Sequence, residues 1–397
     1  MYNLMRTLGD ITNDFLAPYD EKGCEKLIKS FEDDMHEKKT LKMLHTYVFC
    51  KNAFKNGEYL ALDIGGTNVR VSLYEVNPKV TLKEMRKFAL RGDGFDYTTS
   101  EYSLCDIFEM VADKIEEIID PGKKYLLGHT FSFAIDSKSK NSAKALSFSK
   151  GFAWHDAIGI DVNECLKKVL NKRGLNVEPV AILNDTTSTL LAGFMEDRNT
   201  NIACILGTGH NMCFINSDGE AINTESGGFN SSAIPLTEYD EKFLAEIPNE
   251  RECLLEALVA GKNATKLAKV IFDSLVEEGS IKQTPEITPK MMSQVIECEI
   301  DTLDMRQNLA LLEISKALYH RAAYLIACEI AAVFRYLGVT EGNYTIAFDG
   351  TVYEKTPYFQ FCLSEELEKL LGDVKVSHML IKNGSSVGAV IACAIES

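Results

Sequence analysis

Three short stretches carry residue types whose spacing suits chemistry on a phosphate and an alcohol. In the first, DIGGTNVR from Asp63 to Arg70, a glycine pair follows an apolar run and precedes an alternating one. Without a Cβ in the way, backbone N–H groups at Gly65 and Gly66 approach a phosphate closely. Thr67 and Asn68 add side-chain donors, and Asp63 is placed to hold water on a Mg²⁺ that bridges phosphates. An ordinary tight hairpin has the same pattern. The second stretch, GTGHN from Gly207 to Asn211, is a weaker glycine turn alone. Paired with the first, it suggests two loops gripping one polyphosphate. The third, Leu183-Asn184-Asp185, puts a carboxylate at the carboxyl end of an apolar strand, where open α/β sheets bind ligands. An alcohol must lose its proton as its oxygen attacks phosphorus, and Asp185 is the candidate base. An Asn-Asp pair also suits a helix cap.

Other polar residues have plainer readings. Lys150, before Gly151, also reads as a surface lysine, and Glu225 and Glu256 as solvated acids. His129, His155 and His210 lack the spacing of a metal site and read as structural. There is no GxxxxGK[ST] loop and no protein-kinase set of glycine loop, HRD and DFG.

These residues need a scaffold. Leu60–Ile64 reads as a buried strand, and Val69, Val71 and Leu73 alternate with polar partners as in a half-buried strand. That order is strand, glycine turn, strand, unlike the strand–glycine–helix order of a dinucleotide fold. Residues 203–215 repeat it, a hint of two related domains. Apolar residues from Leu104 to Ile118 have helical spacing, stopped by Pro121-Gly122. Tyr125–Leu127 and Pro179–Leu183 read as strands, 135–146 as a polar loop, and a helix begins near Thr186. Residues 241–337 are mainly helical, with a long buried helix from Leu309 to Tyr336. Tyr344–Phe348 is a strand, and NGSSVGA at 383–389 precedes a short apolar tail. The first 57 residues look largely helical, with a stripe at Leu27, Ile28, Phe31, Met35 and Leu41.

A chain of 397 residues exceeds one hydrophobic core, so two domains are expected. The net charge of −16 repels nucleic-acid backbones and anionic lipid, and neither partner is expected. The 11 cysteines form no CxxC and no Cys/His cluster of zinc spacing, which favours a reducing, cytoplasmic compartment. No signal or transit peptide and no membrane-spanning run is expected.

The motifs occur in the order of the hexokinase family, a branch of the actin-like sugar kinases, and the resemblance runs from LKMLHTYV near residue 41 almost to the C-terminus. It implies an α/β fold of two actin-like (ribonuclease H-like) domains, each with a mixed sheet, and an interdomain cleft. A small domain would hold 58–183 plus 386–397, and a large one 1–57 plus 184–385. The implied activity is ATP-dependent phosphorylation of a hexose, glucose foremost, at its 6-hydroxyl. ATP and Mg²⁺ would be the cofactors, and the enzyme a monomer or homodimer. Asp63, Gly65, Gly66, Thr67, Asn68 and Arg70 would form the first phosphate loop, with no direct protein ligand to metal. Thr208 and Gly209 would form the second loop. Gly261 and Lys262 would lie near the nucleotide, Gly350 and Thr351 of FDGTVY near adenosine, and Ser385 in the closing loop.

By the same resemblance, Ser132, Ser149, Lys150, Asn184, Asp185, Asn211, Glu225 and Glu256 would hold the sugar. Asp185 would be the base, and Lys150 would stabilise charge on the moving phosphoryl group. The chain departs from the family at Ala134 (usually Pro), Ser149 (usually Thr), Ser226 (usually Trp) and Glu354 (usually Lys). These changes bear on sugar and nucleotide preference. They also motivate competing expectations: a kinase for another hexose or an amino sugar, or a catalytically silent sugar-binding regulator. An actin-like filament protein would need the nucleotide loops but not the sugar-contacting residues.

Overall fold

The computed structural model describes residues 2–50, 53–77, 79–148, 151–298 and 303–395. The chain forms two compact units, one of 1–42, 204–212 and 224–380, the other of 43–203, 213–223 and 381–397. The sequence reading instead draws its main boundary between residues 183 and 184.

The second unit is built on a five-stranded sheet. In spatial order its strands are Val177–Leu183, Tyr125–Phe131, Gly57–Ile64, Asn68–Asn77 and Lys79–Ala89. The first three are parallel and the rest antiparallel, so the sheet is mixed. Alternation sorts its faces. Leu60, Leu62 and Ile64 join the helices Leu104–Glu116 and Val162–Lys172 in one core, while Tyr59 and Ala61 meet the helix Gly384–Ala394 on the other face. That helix lies close: a Cβ at Gly128 would stand 2.0 Å from the Ala389 carbonyl oxygen, and one at Gly388 2.0 Å from that of Ser188.

Two expectations need correcting here. NGSSVGA is not a loop, because Gly384 already opens the helix; Gly384 and Gly388 serve close helix packing, against Thr189 and Ser188. The stretch 134–147 is a hairpin of strands Ala134–Ser139 and Ser142–Ser147, whose polar side chains hid an alternating pattern.

His129 is structural, as its sequence context suggests. It is fully buried between Phe108 and Phe131, its Nδ1 lies 3.1 Å from Asn163 Oδ1, and Nε2 finds no partner among the described residues. Burial pushes its pKa down to about 4, against 6.5 for an ordinary histidine. The folded protein therefore binds this proton more weakly than the unfolded chain. The stability it preserves above pH 6.5 is lost as pH falls towards 4, by roughly 3 kcal/mol in full. Urea unfolding of the wild type and of His129→Gln, from neutral pH downward, should show a shallower acid loss in the variant.

The first unit is mainly helical. Helix Glu21–Glu37 is capped by Asp20, whose side chain accepts from the Gly23 N–H at 2.8 Å. It buries Leu27, Ile28, Phe31 and Met35, and Leu41 lies beyond its end. Helix Met305–Tyr336 runs through the interior. It is long and apolar enough to cross a membrane, contrary to the expectation of no such run, but 89% of its most apolar window is buried within the protein. Strands Gly342–Asp349 and Val374–Leu380 pair in parallel, and the former lies beside strand Thr200–Leu206, whose end from Cys204 onward belongs to this unit.

Candidate active site

In the second unit, the first glycine turn is the predicted hairpin. Asp63 faces Arg70 and Ile64 faces Val69 across it, and the Gly65 N–H donates to the Asn68 carbonyl at 3.1 Å. The Leu90 N–H donates to Thr67 O at 2.9 Å and anchors the loop from the side. Gly65, Gly66 and Asn68 are half-buried and Thr67 is exposed, so the turn leaves backbone accessible. Asp63 is buried, and Arg70 Nη1 lies 2.7 Å from its Oδ2. Arg70 thus fixes this carboxylate. One buried carboxylate beside open glycine backbone fits an ion such as Mg²⁺ that keeps water and phosphate oxygens as ligands.

Next to the Gly57–Ile64 strand, Thr130 stands level with Asp63. Its hydroxyl donates to the Ser385 carbonyl at 2.7 Å and lies 2.8 Å from Ser188 Oγ. Ser132 follows, buried, with its N–H on Ile64 O at 3.2 Å. Strand Val177–Leu183 then delivers Asn184 and Asp185. Asn184 is the N-cap of helix Asp185–Glu196: its Oδ1 accepts from the Thr186 N–H at 2.9 Å, and its Nδ2 donates to Phe133 O at 3.4 Å. The capping role thus falls on Asn184. Asp185 is the first helical residue, half-buried, with Oδ1 on the same Thr186 N–H. Ser149 and Lys150 lie outside the described residues.

In the first unit, the second glycine turn is closed by the Gly207 N–H on Gly209 O at 3.0 Å. Glu256 clamps it. Its Oε2 accepts from the His210 N–H at 2.9 Å, and its Oε1 accepts from Lys262 Nζ at 3.1 Å. A Cβ at Gly209 would stand 2.6 Å from that Oε2, so a side chain there would have to push the carboxylate aside. Burial works against the charge of Lys262, but Glu256 and Glu250 outweigh it and hold its pKa above the ordinary lysine value. Asn211 Oδ1 accepts from the N–H groups of Met212 at 2.8 Å and Ser226 at 3.3 Å. Glu225, just before Ser226, has φ +55°, a left-handed conformation costly for glutamate. Such strain is typical of positions whose side-chain direction matters.

The same turn borders a cavity of about 540 Å³. Its walls include Gly207, Thr208, Gly261, Lys262, Tyr319 and Thr351. Gly350, at φ +123°, lies against strand Thr200–Leu206, where a Cβ would stand 2.3 Å from Leu206 O. Four of the residues expected near the nucleotide (Thr208, Gly261, Lys262 and Thr351) thus line one space whose volume suits a nucleoside. Sequence reasoning missed its helical wall, Pro289, Ser293 and Tyr319, because those residues read as ordinary helix. It also missed Glu250, which pairs with Lys262 and Asn263.

Comparison with known proteins identifies the family and the fold. The hexokinase family models match residues 13–195 and 201–395. Hexokinase-7 of Oryza sativa subsp. japonica is 28% identical over 410 residues, covering 90% of this chain and 89% of that protein. The structure of a hexokinase from Schistosoma mansoni complexed with glucose superposes with a TM-score of 0.82 at 24% identity, over 99% of each chain. A ROK family glucokinase from Streptomyces griseus, in complex with glucose and AMPPNP, shares the fold more distantly, with a TM-score of 0.54 at 15% identity over 84% of this chain and 98% of that one. The fold is the two-domain actin-like α/β fold, and with both halves matched the chain belongs to the hexokinase family of sugar kinases.

Proposed function

We propose that this protein is an ATP-dependent hexokinase that transfers the γ-phosphoryl group to the 6-hydroxyl of a hexose, glucose foremost. Membership of the family supports the reaction. The observation that carries it in this chain is the second glycine turn, clamped by Glu256 on one side and lining a nucleoside-sized cavity on the other. Asn184, Asp185, Asn211, Glu225 and Glu256, with Ser132, Ser149 and Lys150, are the proposed sugar ligands. Carboxylates and amides suit the task, since a hexose presents many hydroxyls that each donate and accept. Asp185 takes the proton of the attacking hydroxyl. The loop amides of both glycine turns, with Thr67, Asn68 and Thr208, hold phosphate oxygens, and Gly261, Lys262, Gly350 and Thr351 border the nucleoside. Bound ATP would supply the phosphoryl group, and Asp63 is the residue that would hold a Mg²⁺, which would spread the charge on it. A reducing, cytoplasmic setting is proposed from the cysteine spacing, which forms no CxxC.

An ADP-release assay across glucose, fructose, mannose and N-acetylated amino sugars, run beside calorimetry, tests the reading. Turnover greatest with glucose is expected. Turnover confined to an amino sugar would reassign the substrate, and binding without turnover would make the protein a regulator.

Gly209→Ala should separate sugar from nucleotide. The added Cβ pushes the Glu256 carboxylate off the His210 N–H, so the hexose KM should rise by about tenfold or more. The ATP KM should move less. Steady-state kinetics with each substrate varied in turn checks it; equal shifts in both would contradict the assignment of Glu256 to the sugar.

A further inference from the structure

We propose that His210 is a positioning residue for the hexose-binding side chains, locked into the second glycine turn as an imidazolium. The proposal rests on the hexokinase reading. The ring is wholly buried. Its Nδ1 lies 3.2 Å from the Ile205 carbonyl oxygen, and its Nε2 lies 2.9 Å from Glu329 Oε2 and 3.1 Å from Ser226 Oγ. With Glu329 ionised, its carboxylate and the Ile205 carbonyl oxygen both accept, so each ring nitrogen donates and the ring carries both protons. The charge is paired with Glu329, which projects from the core helix Met305–Tyr336.

From that fixed ring, three proposed sugar ligands are reached in one step each. The backbone N–H of His210 holds Glu256. Asn211 is the next residue, and its amide oxygen takes the Ser226 N–H. Ser226, hydrogen-bonded to the ring, directly follows the strained Glu225. Serine at 226, where the resembled family usually has tryptophan, supplies the hydroxyl this arrangement uses. The other titratable groups facing the ring are few. Cys204 Sγ is 3.8 Å from Nδ1, and burial raises its thiol so that it stays neutral. Glu256 faces the backbone of His210 and is shared with Lys262. Glu329 is thus the acidic side chain that pairs with the ring.

Two variants of the full chain test this, His210→Gln and Glu329→Gln, with hexose and ATP KM measured from about pH 6 to about pH 8.5. His210→Gln should raise the hexose KM by about tenfold to a hundredfold, with the ATP KM within about twofold. Glu329→Gln keeps an acceptor for Nε2 but removes the charge that holds its proton. Its hexose KM should match the wild type at the acid end and climb towards that of His210→Gln at the alkaline end, while the wild type stays flat. A merely structural role would lower the yield of active enzyme without a pH-dependent hexose KM. An unchanged hexose KM in His210→Gln, or a Glu329→Gln profile parallel to the wild type, would overturn the proposal.

If either variant fails to fold, ¹⁵N spectra of the wild-type histidine rings decide it. Both His210 nitrogens protonated up to about pH 8.5 would support the imidazolium, and a bare nitrogen at neutral pH would refute it. Absence of hexose turnover in the wild type would sink the hexokinase reading, while the ring's protonation would still be read independently.

Discussion

Asp185→Ala should lower kcat by about two to four orders of magnitude while the hexose dissociation constant changes far less, because a general base acts on the transition state more than on the bound ground state. The local structure makes this variant informative. Asn184 caps helix Asp185–Glu196, so removing the Asp185 carboxylate leaves the cap in place. What is lost is one acceptor for the Thr186 N–H, which Asn184 also serves. Rapid-quench turnover and calorimetric sugar binding, with circular dichroism as a check on folding, measure the split. Near wild-type turnover would remove Asp185 from the role of base, and loss of sugar binding equal to loss of turnover would recast it as a sugar ligand alone.

The largest effect on stability is expected at Asp240→Asn, in the interior of the first unit. Arg321 Nη1 lies 2.7 Å from Asp240 Oδ1 and 2.8 Å from Oδ2, and both residues are buried. Arg321 Nε and Nη2 find no partner among the described residues, and its guanidinium lies over the Phe15 ring at 4.7 Å. Neutralising Asp240 leaves a buried guanidinium uncompensated, at a cost of about 3–5 kcal/mol. It also weakens the capping box in which Asp240 accepts from the Thr237 N–H and hydroxyl. Urea unfolding should show a midpoint shift of corresponding size. Arg321→Met in the Asp240→Asn background should recover much of the loss, since removing both charges leaves none unpaired.

What the sequence made legible follows from how local each signal is. The strand–glycine–strand units were readable because alternation and a glycine pair are short-range patterns, and both turns form as expected. Asn184 and Asp185 were readable as the end of a strand and the start of a helix, although which of them caps was settled only by side-chain geometry. The Gly384–Ala394 helix was misread because its glycines signal a loop locally; they are there so that Ser188 and Thr189 of another helix can come close, a tertiary demand with no local signature. His210 was passed over for the same reason. Its partners lie at positions 205, 226 and 329, and no spacing rule joins them. Only the replacement of the family's tryptophan by Ser226 hinted that the surroundings of this turn differ.

The most direct test identifies the product. Purified protein incubated with ATP, Mg²⁺ and glucose should release ADP and form a sugar monophosphate in equal amounts, with the phosphorus coupled to the C6 protons by NMR and no product from 6-deoxyglucose. ADP released without sugar phosphate, or phosphate attached at any other carbon, would contradict the account of an Asp185-assisted attack by the 6-hydroxyl.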